Sequence, residues 1–172
     1  MDLLHDFYTI ESSRIKITYK VFWKLLQATC PTLYGLLIEE SMVSCSIFLL
    51  GWILTLYSGT FEIGIVSAIW DQIFLFGQDH IMRVALAVCK IVEEKSLRLF
   101  NEMSPEQQES FDMLKEVRDC NRHVTDAAEL VSVVNKLSKT FLSLDVVRQT
   151  YKQAEALDSE FLHTSTEWQW SA

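Results

Sequence analysis

Residues 41–87 constrain this chain most. They carry only four charged side chains, Glu62, Asp71, Asp79 and Arg83, and positions 41–61 carry none. Met42, Cys45, Leu49, Trp52 and Leu56 form one apolar stripe at helical spacing. Val43, Ile47, Leu50, Leu54 and Tyr57 form a second. A helix that is apolar nearly all round is either the centre of a domain or a membrane span. The uncharged run reaches the length of about 20 residues that crosses a bilayer. Against a span stand the polar positions Ser41, Ser44, Ser46 and Thr55, together with Gly51. Asp71, in the middle of the next apolar segment, would be costly in lipid.

Charge divides the chain. Residues 1–24 hold three acids and four bases, residues 25–92 five acids and two bases, and residues 93–172 fifteen acids and nine bases. The middle reads as core and the last part as surface-exposed helices. A net charge of −8 gives no footprint for nucleic acid. Cys30, Cys45, Cys89 and Cys120 form no C-x-x-C pair, and we read them as reduced, buried thiols. The first 13 residues are acidic and contain no apolar signal core, so a cytoplasmic location is expected.

The segments in order predict an all-α chain of about eight helices. Ile15, Ile17, Tyr19 and Val21 alternate as in a strand, but Thr18, Phe22, Leu25, Leu26 and Thr29 share a helix face, and no second strand is evident. Pro31 suits the first position of a short helix buried through Leu33, Leu36 and Leu37. The central helix covers about 41–57 and stops at Ser58-Gly59. Thr60 then caps a helix whose Ile63, Val66, Trp70 and Ile73 face inward and which Gly77 closes. Asp79 caps the next, striped by Ile81, Val84, Ala85, Val88, Ile91 and Val92. Ser104, Pro105 and Gln107 spell a capping box, and Asp126 with Glu129 a second. Phe111, Leu114 and Val117 share one face, as do Leu130, Val134, Leu137 and Phe141. A last helix covers about 145–161, before a tail holding Trp168 and Trp170 that is expected to be mobile.

Three pieces stand in order: Trp52-Ile53-Leu54-Thr55-Leu56-Tyr57, then Ile69-Trp70-Asp71, then Gly77 followed by Met82-Arg83-Val84-Ala85-Leu86-Ala87. The set resembles the TBC domain, the Rab GTPase-activating domain. That family carries Trp-Phe-x-Thr-Leu-Phe, a turn, Ile/Val-Trp-Asp, a Gly and Phe-Arg-Val-Ala-Leu-Ala. Cys30-Pro31-x-Leu33-Tyr34 is compatible with what precedes this block in the family. Ile53 and Tyr57 stand where the family has Phe, and Thr60-Phe61-Glu62 replaces its Leu-Pro at the turn. The resemblance covers roughly residues 20–100 and makes the chain look like the C-terminal half of the domain. It implies four parts: an N-terminal segment 1–19, the TBC-like subdomain 20–100, added amphipathic helices 101–163 packed on it, and a flexible tail 164–172.

The resemblance also implies a role for an arginine finger in Ile-x-x-Asp-x-x-Arg and a glutamine finger in Tyr-x-Gln, both upstream of the Trp52-like block. Neither motif precedes Trp52 here. Arg14 is the sole arginine before the block, Ile10 stands at the wrong distance from it, and Tyr34-Gly35-Leu36 lacks the glutamine. Tyr151-Lys152-Gln153 fits the letters at the wrong place. An inserted arginine stabilises charge that develops on the transferred phosphoryl group and is worth about 10³–10⁵ in rate. The reading is therefore a Rab GTPase-binding, regulatory module of vesicle traffic that is not an enzyme by itself. Its association with endomembranes is peripheral and indirect. The alternatives are a helical scaffold with no GTPase role, and a single-pass membrane protein spanning about 41–61.

No catalytic residue, metal or cofactor is expected. His5, His80, His123 and His163 have no ligand spacing. The motif residues Trp52, Thr55, Leu56, Tyr57, Trp70, Asp71, Gly77 and Arg83 are read as mainly structural. Trp52 and Trp70 are expected in the core, Asp71 in a cap or internal pair, and Arg83 in a bridge to Asp71 or Asp79.

Overall fold

The computed structural model describes residues 13–40, 42–140 and 142–166, and the side chains of 15–38, 48–140 and 142–157. Among the described residues there are nine α-helices, one 3-10 turn and no strand. The helices are α1 Ser13–Thr29, α2 Pro31–Glu40, α3 Met42–Leu54, α4 Ile63–Phe76, α5 Asp79–Glu102, α6 Pro105–Glu109, α7 Met113–Arg118, α8 Ala127–Thr140 and α9 Leu144–Thr166; the 3-10 turn is Cys120–Arg122. The all-α reading holds, and the alternation near Ile15 belongs to a helix.

The stripe predicted from Ile81 to Val92 becomes the axis of the fold. α5 packs against α1, α2, α3, α4, α7, α8 and α9. From His80 to Cys89 every residue of it is buried, on all faces of the helix. Beyond Cys89 the helix narrows to a one-sided stripe through Ile91, Val92 and Ser96. Leu33 and Leu37 of α2, Leu114 and Val117 of α7, and Leu130, Val134 and Leu137 of α8 complete the same core. Phe111 is partly buried against it, and the side chain of Phe141 lies outside the described residues.

Long-range polar bonds lock α5 to its neighbours. Glu93 is a buried carboxylate: it accepts from the Leu33 N–H at 2.9 Å and from Lys90 Nζ at 2.7 Å. It thereby satisfies one of the amides left unpaired at the start of α2, whose first residue is the expected Pro31. Lys95 donates to the His123 carbonyl at 2.7 Å and to Glu129 at 2.6 Å.

Several local expectations change. Helix α3 stops at Leu54, not Tyr57, because Leu56 and Tyr57 turn to positive φ. It has 13 residues, about 20 Å of helix against a hydrocarbon layer of about 30 Å. Among the described residues no helix is long and apolar enough to cross a membrane. Leu36 is exposed, so α2 buries Leu33 and Leu37 alone of the three. Glu62, not Thr60, holds the N-cap position of α4, without a side-chain bond, and Gln78, not Asp79, that of α5. Asp126 caps α8 through Ala128 N–H at 2.8 Å, but Glu129 turns away to Lys95. At Ser104 the box forms as read, the Gln107 side chain accepting from the Ser104 N–H at 3.0 Å. The last helix runs longer than 145–161. Trp168 and Trp170 lie outside the described residues.

Candidate functional site

The three motif pieces meet at one corner, between α3 and α4 and against α5. Trp52 is buried in the last turns of α3. Its ring lies 4.8 Å from Phe48 and 6.1 Å from Tyr57, and Tyr57 in turn lies 6.3 Å from Phe61, centroid to centroid. Chain direction then reverses through two residues in the left-handed region, Leu56 at φ 47° and Tyr57 at φ 68°. Side chains other than Gly occupy that region at a cost of roughly 1–2 kcal/mol each, so other contacts must hold them there.

Those contacts come from the motif itself. Tyr57 N–H donates to the Trp52 carbonyl at 2.9 Å, and its fully buried hydroxyl donates to the Ile81 carbonyl on α5 at 2.8 Å. Burial holds the phenol well above its ordinary pKa, so it stays a donor. Trp70 Nε1 donates to the Leu56 carbonyl at 2.9 Å. Thr55 Oγ1 donates back to the Gly51 carbonyl at 2.8 Å and accepts from the Gly59 N–H at 3.3 Å. Trp52, Thr55, Leu56, Tyr57 and Trp70 are thus parts of one strained turn that fixes where α4 leaves the core. Gly77 ends α4 at φ 88° and ψ −180°, a conformation open essentially to glycine alone.

Three site residues differ from expectation. Trp70 is 36% exposed, so it is a surface brace and not a core aromatic. The apolar face of α4 that turns inward is Ile65, Val66, Ile69 and Ile73, while Ile63 points out. Asp71 is exposed and joins no hydrogen bond or ion pair among the described residues, so it neither caps nor pairs. Arg83 is buried, and its Nε donates to the Leu142 carbonyl at 2.6 Å, tying the α8–α9 connection to α5. The acid expected beside it, Asp79, is taken by Arg148 at 2.8 Å. Burial, with Arg148 nearby, lowers the Arg83 pKa from its ordinary value. Both Arg148 and Leu142 lie more than fifty positions from their partners, beyond the reach of any periodicity.

Ser96, His123 and Glu116 come together, yet Ser96 Oγ at 3.5 Å and Glu116 Oε2 at 2.6 Å meet the same imidazole nitrogen. A nucleophilic relay needs the two on opposite nitrogens. Burial pushes the Cys30 and Cys120 thiols up to about 12, so both remain protonated and inert at neutral pH. Cys30, Cys89 and Cys120 are buried, and none forms a disulfide among the described residues. No group of three His, Cys, Asp or Glu among the described residues could hold a metal ion. The corner positions helices.

The Rab-GTPase-TBC domain family model matches residues 1–97. Human TBC1 domain family member 2B is 27% identical over 167 residues, covering 91% of this chain and 16% of that protein. Rat TBC1 domain family member 14 is 24% identical over 93 residues, 54% of this chain and 13% of that protein. Mouse TBC1 domain family member 4 is 39% identical over 51 residues, 30% of this chain and 4% of that protein. The chain therefore spans under a fifth of the length of these relatives. No solved structure matches it significantly. The family match covers more than half of the chain, including the whole corner from Trp52 to Arg83: the chain belongs to the Rab-GTPase-TBC domain family.

Proposed function

We propose that this chain binds a Rab-type small GTPase and takes part in its regulation in vesicle traffic, peripheral to endomembranes, without accelerating GTP hydrolysis by itself. The binding half of this reading rests on one observation: the family match spans the three ordered motif pieces, and those pieces build a single corner. The other half rests on side chains. No Ile-x-x-Asp-x-x-Arg or Tyr-x-Gln precedes Trp52, and the motif arginine, Arg83, is buried and engaged with Leu142. A finger has to reach a phosphoryl group on another molecule. Residues 20–100 carry the role in this reading, and the helices of 101–163 serve as cover for α5.

The test is a panel of purified Rab proteins, each loaded with GDP or a non-hydrolysable GTP analogue and offered to the immobilised chain. At least one should bind better in its GTP form, while phosphate release from the GTP-loaded protein stays at its intrinsic rate. Binding that ignores the nucleotide throughout would leave a helical scaffold. A rate rise of 10³ or more would show that the chain supplies catalytic groups.

A further inference from the structure

At about 100° per residue, the outward side of α4 carries Ile63, Trp70 and Phe74 along one line, with Asp71 and Leu75 beside it. Ile63 is 78% exposed, Leu75 72% and Phe74 66%. Together these side chains form a contiguous exposed apolar patch of the kind that marks an interaction site. The residues between them are small, Gly64, Ser67 and Ala68, so a partner can approach the helix closely. A single charge stands inside this apolar arc: Asp71, which joins no ion pair or hydrogen bond among the described residues. Glu62 precedes the helix and is also exposed, and no basic residue lies on α4.

We propose that the outer face of α4 is a docking surface for a separate protein that presents an apolar strip bearing a lysine or arginine. The apolar arc supplies the contact area, and the unpaired Asp71 selects the cation that must sit opposite it. The same charge argues against a second copy of this chain. A two-fold pairing centred on the arc would set the two Asp71 carboxylates against each other, with no base on either helix. It argues against an anionic membrane for the same reason. The corner supports the arrangement: Trp70 is held at the edge of the arc by its bond to the Leu56 carbonyl, so the face is presented rigidly. This inference does not depend on the GTPase reading, because it concerns what α4 leaves uncovered.

The probe is a labelled synthetic amphipathic helix with leucines at i, i+3, i+4 and i+7 flanked by lysines, titrated with the full chain by fluorescence anisotropy. Two companions are needed: one with glutamates for lysines, one with serines for leucines. The leucine–lysine helix should bind at least tenfold more tightly than either. Asp71→Lys should reverse the preference toward the glutamate helix. Phe74→Ser with Leu75→Ser should weaken binding at least tenfold, with the thermal melt unchanged, since both side chains lie outside the core. Equal binding of the lysine and glutamate helices, no effect of Asp71→Lys, or equal binding of the serine helix would each overturn the proposal. So would a dimer by light scattering that Phe74→Ser abolishes, or sedimentation with phosphatidylcholine vesicles that Phe74→Ser abolishes. The former would give the face to a second copy and the latter to lipid.

Discussion

Helices α4 and α5 are joined by two residues, Gly77 and Gln78; α4 is apolar along almost its whole length, whereas α5 mixes apolar side chains with about as many polar and charged ones. From His80 to Cys89, α5 is buried on every side, an imidazole and a guanidinium included. Helix α4 buries Ile65, Val66, Ile69 and Ile73 and leaves Ile63, Phe74 and Leu75 in water. Apolarity therefore does not decide burial here; the number of neighbours does. α5 is covered by seven helices, whereas α4 packs on α5 and α8. A side chain's contribution to stability should follow this contact environment and not its hydropathy.

Leucines of the two helices put that comparison to its hardest test. Leu86→Ala on α5 should cost about 3–4 kcal/mol, since it removes a fully buried side chain from a site closed on all sides. Equilibrium urea unfolding measures it. A cost under 1 kcal/mol would mean that α5 is not the closed axis described.

Next in size is the pH dependence of α5. His80 is fully buried, stacks on Phe76 at 5.1 Å, and neither ring nitrogen has a hydrogen-bond partner among the described residues. Burial first, and the charge of Arg83 second, lower its pKa from 6.5 to about 4. Asp79 and Arg148 lie near the same helix start. The unfolded chain binds this proton below about pH 6.5, the folded chain only near 4. His80 thus leaves stability intact above pH 6.5 and lowers it as pH falls toward 4, by on the order of 2–3 kcal/mol. Replacing it, His80→Leu, should flatten that part of the profile and raise stability at pH 5, because it removes two unpaired buried nitrogens. Parallel slopes for the two proteins between pH 6.5 and 4 would contradict the assignment.

The contact between corner and axis is smaller. Tyr57→Phe deletes the hydroxyl that donates to Ile81 and should cost about 1 kcal/mol. The smallest effect belongs to Leu75→Ala on the outer face of α4, expected within about 0.5 kcal/mol of zero. If it costs as much as Leu86→Ala, α4 has cover that the contrast with α5 omits.

The legible part of this protein was periodic. The stripe from Ile81 to Val92, the capping box at Ser104, the helix start at Pro31 and the stop at Gly77 all stand where the spacing put them. Each depends on residues within a turn or two of one another, which is the range over which a chain carries its own instructions. The ordered motif pieces likewise point to the family.

Tertiary structure decided the rest. The phase of α4 could not be read, because Ile63, Trp70 and Phe74 are as apolar as Val66, Ile69 and Ile73. Which line turns inward is set by the corner, where Tyr57 hydrogen-bonds to α5 and Trp70 to Leu56. Partners of Arg83 and Asp79 were likewise hidden: Leu142 and Arg148 reach α5 from the far end of the chain. The end of α3 at Leu54 is not legible in the spacing, because positive φ at Leu56 and Tyr57 runs against local preference and is held in part by bonds to α4 and α5. Sequence alone thus determined that the chain is helical, where several of its helices begin, and which family its motifs resemble, since short-range spacing carries those facts. Folding in three dimensions determined which apolar face stays in water and which charges pair, since both depend on neighbours that only the packed chain supplies.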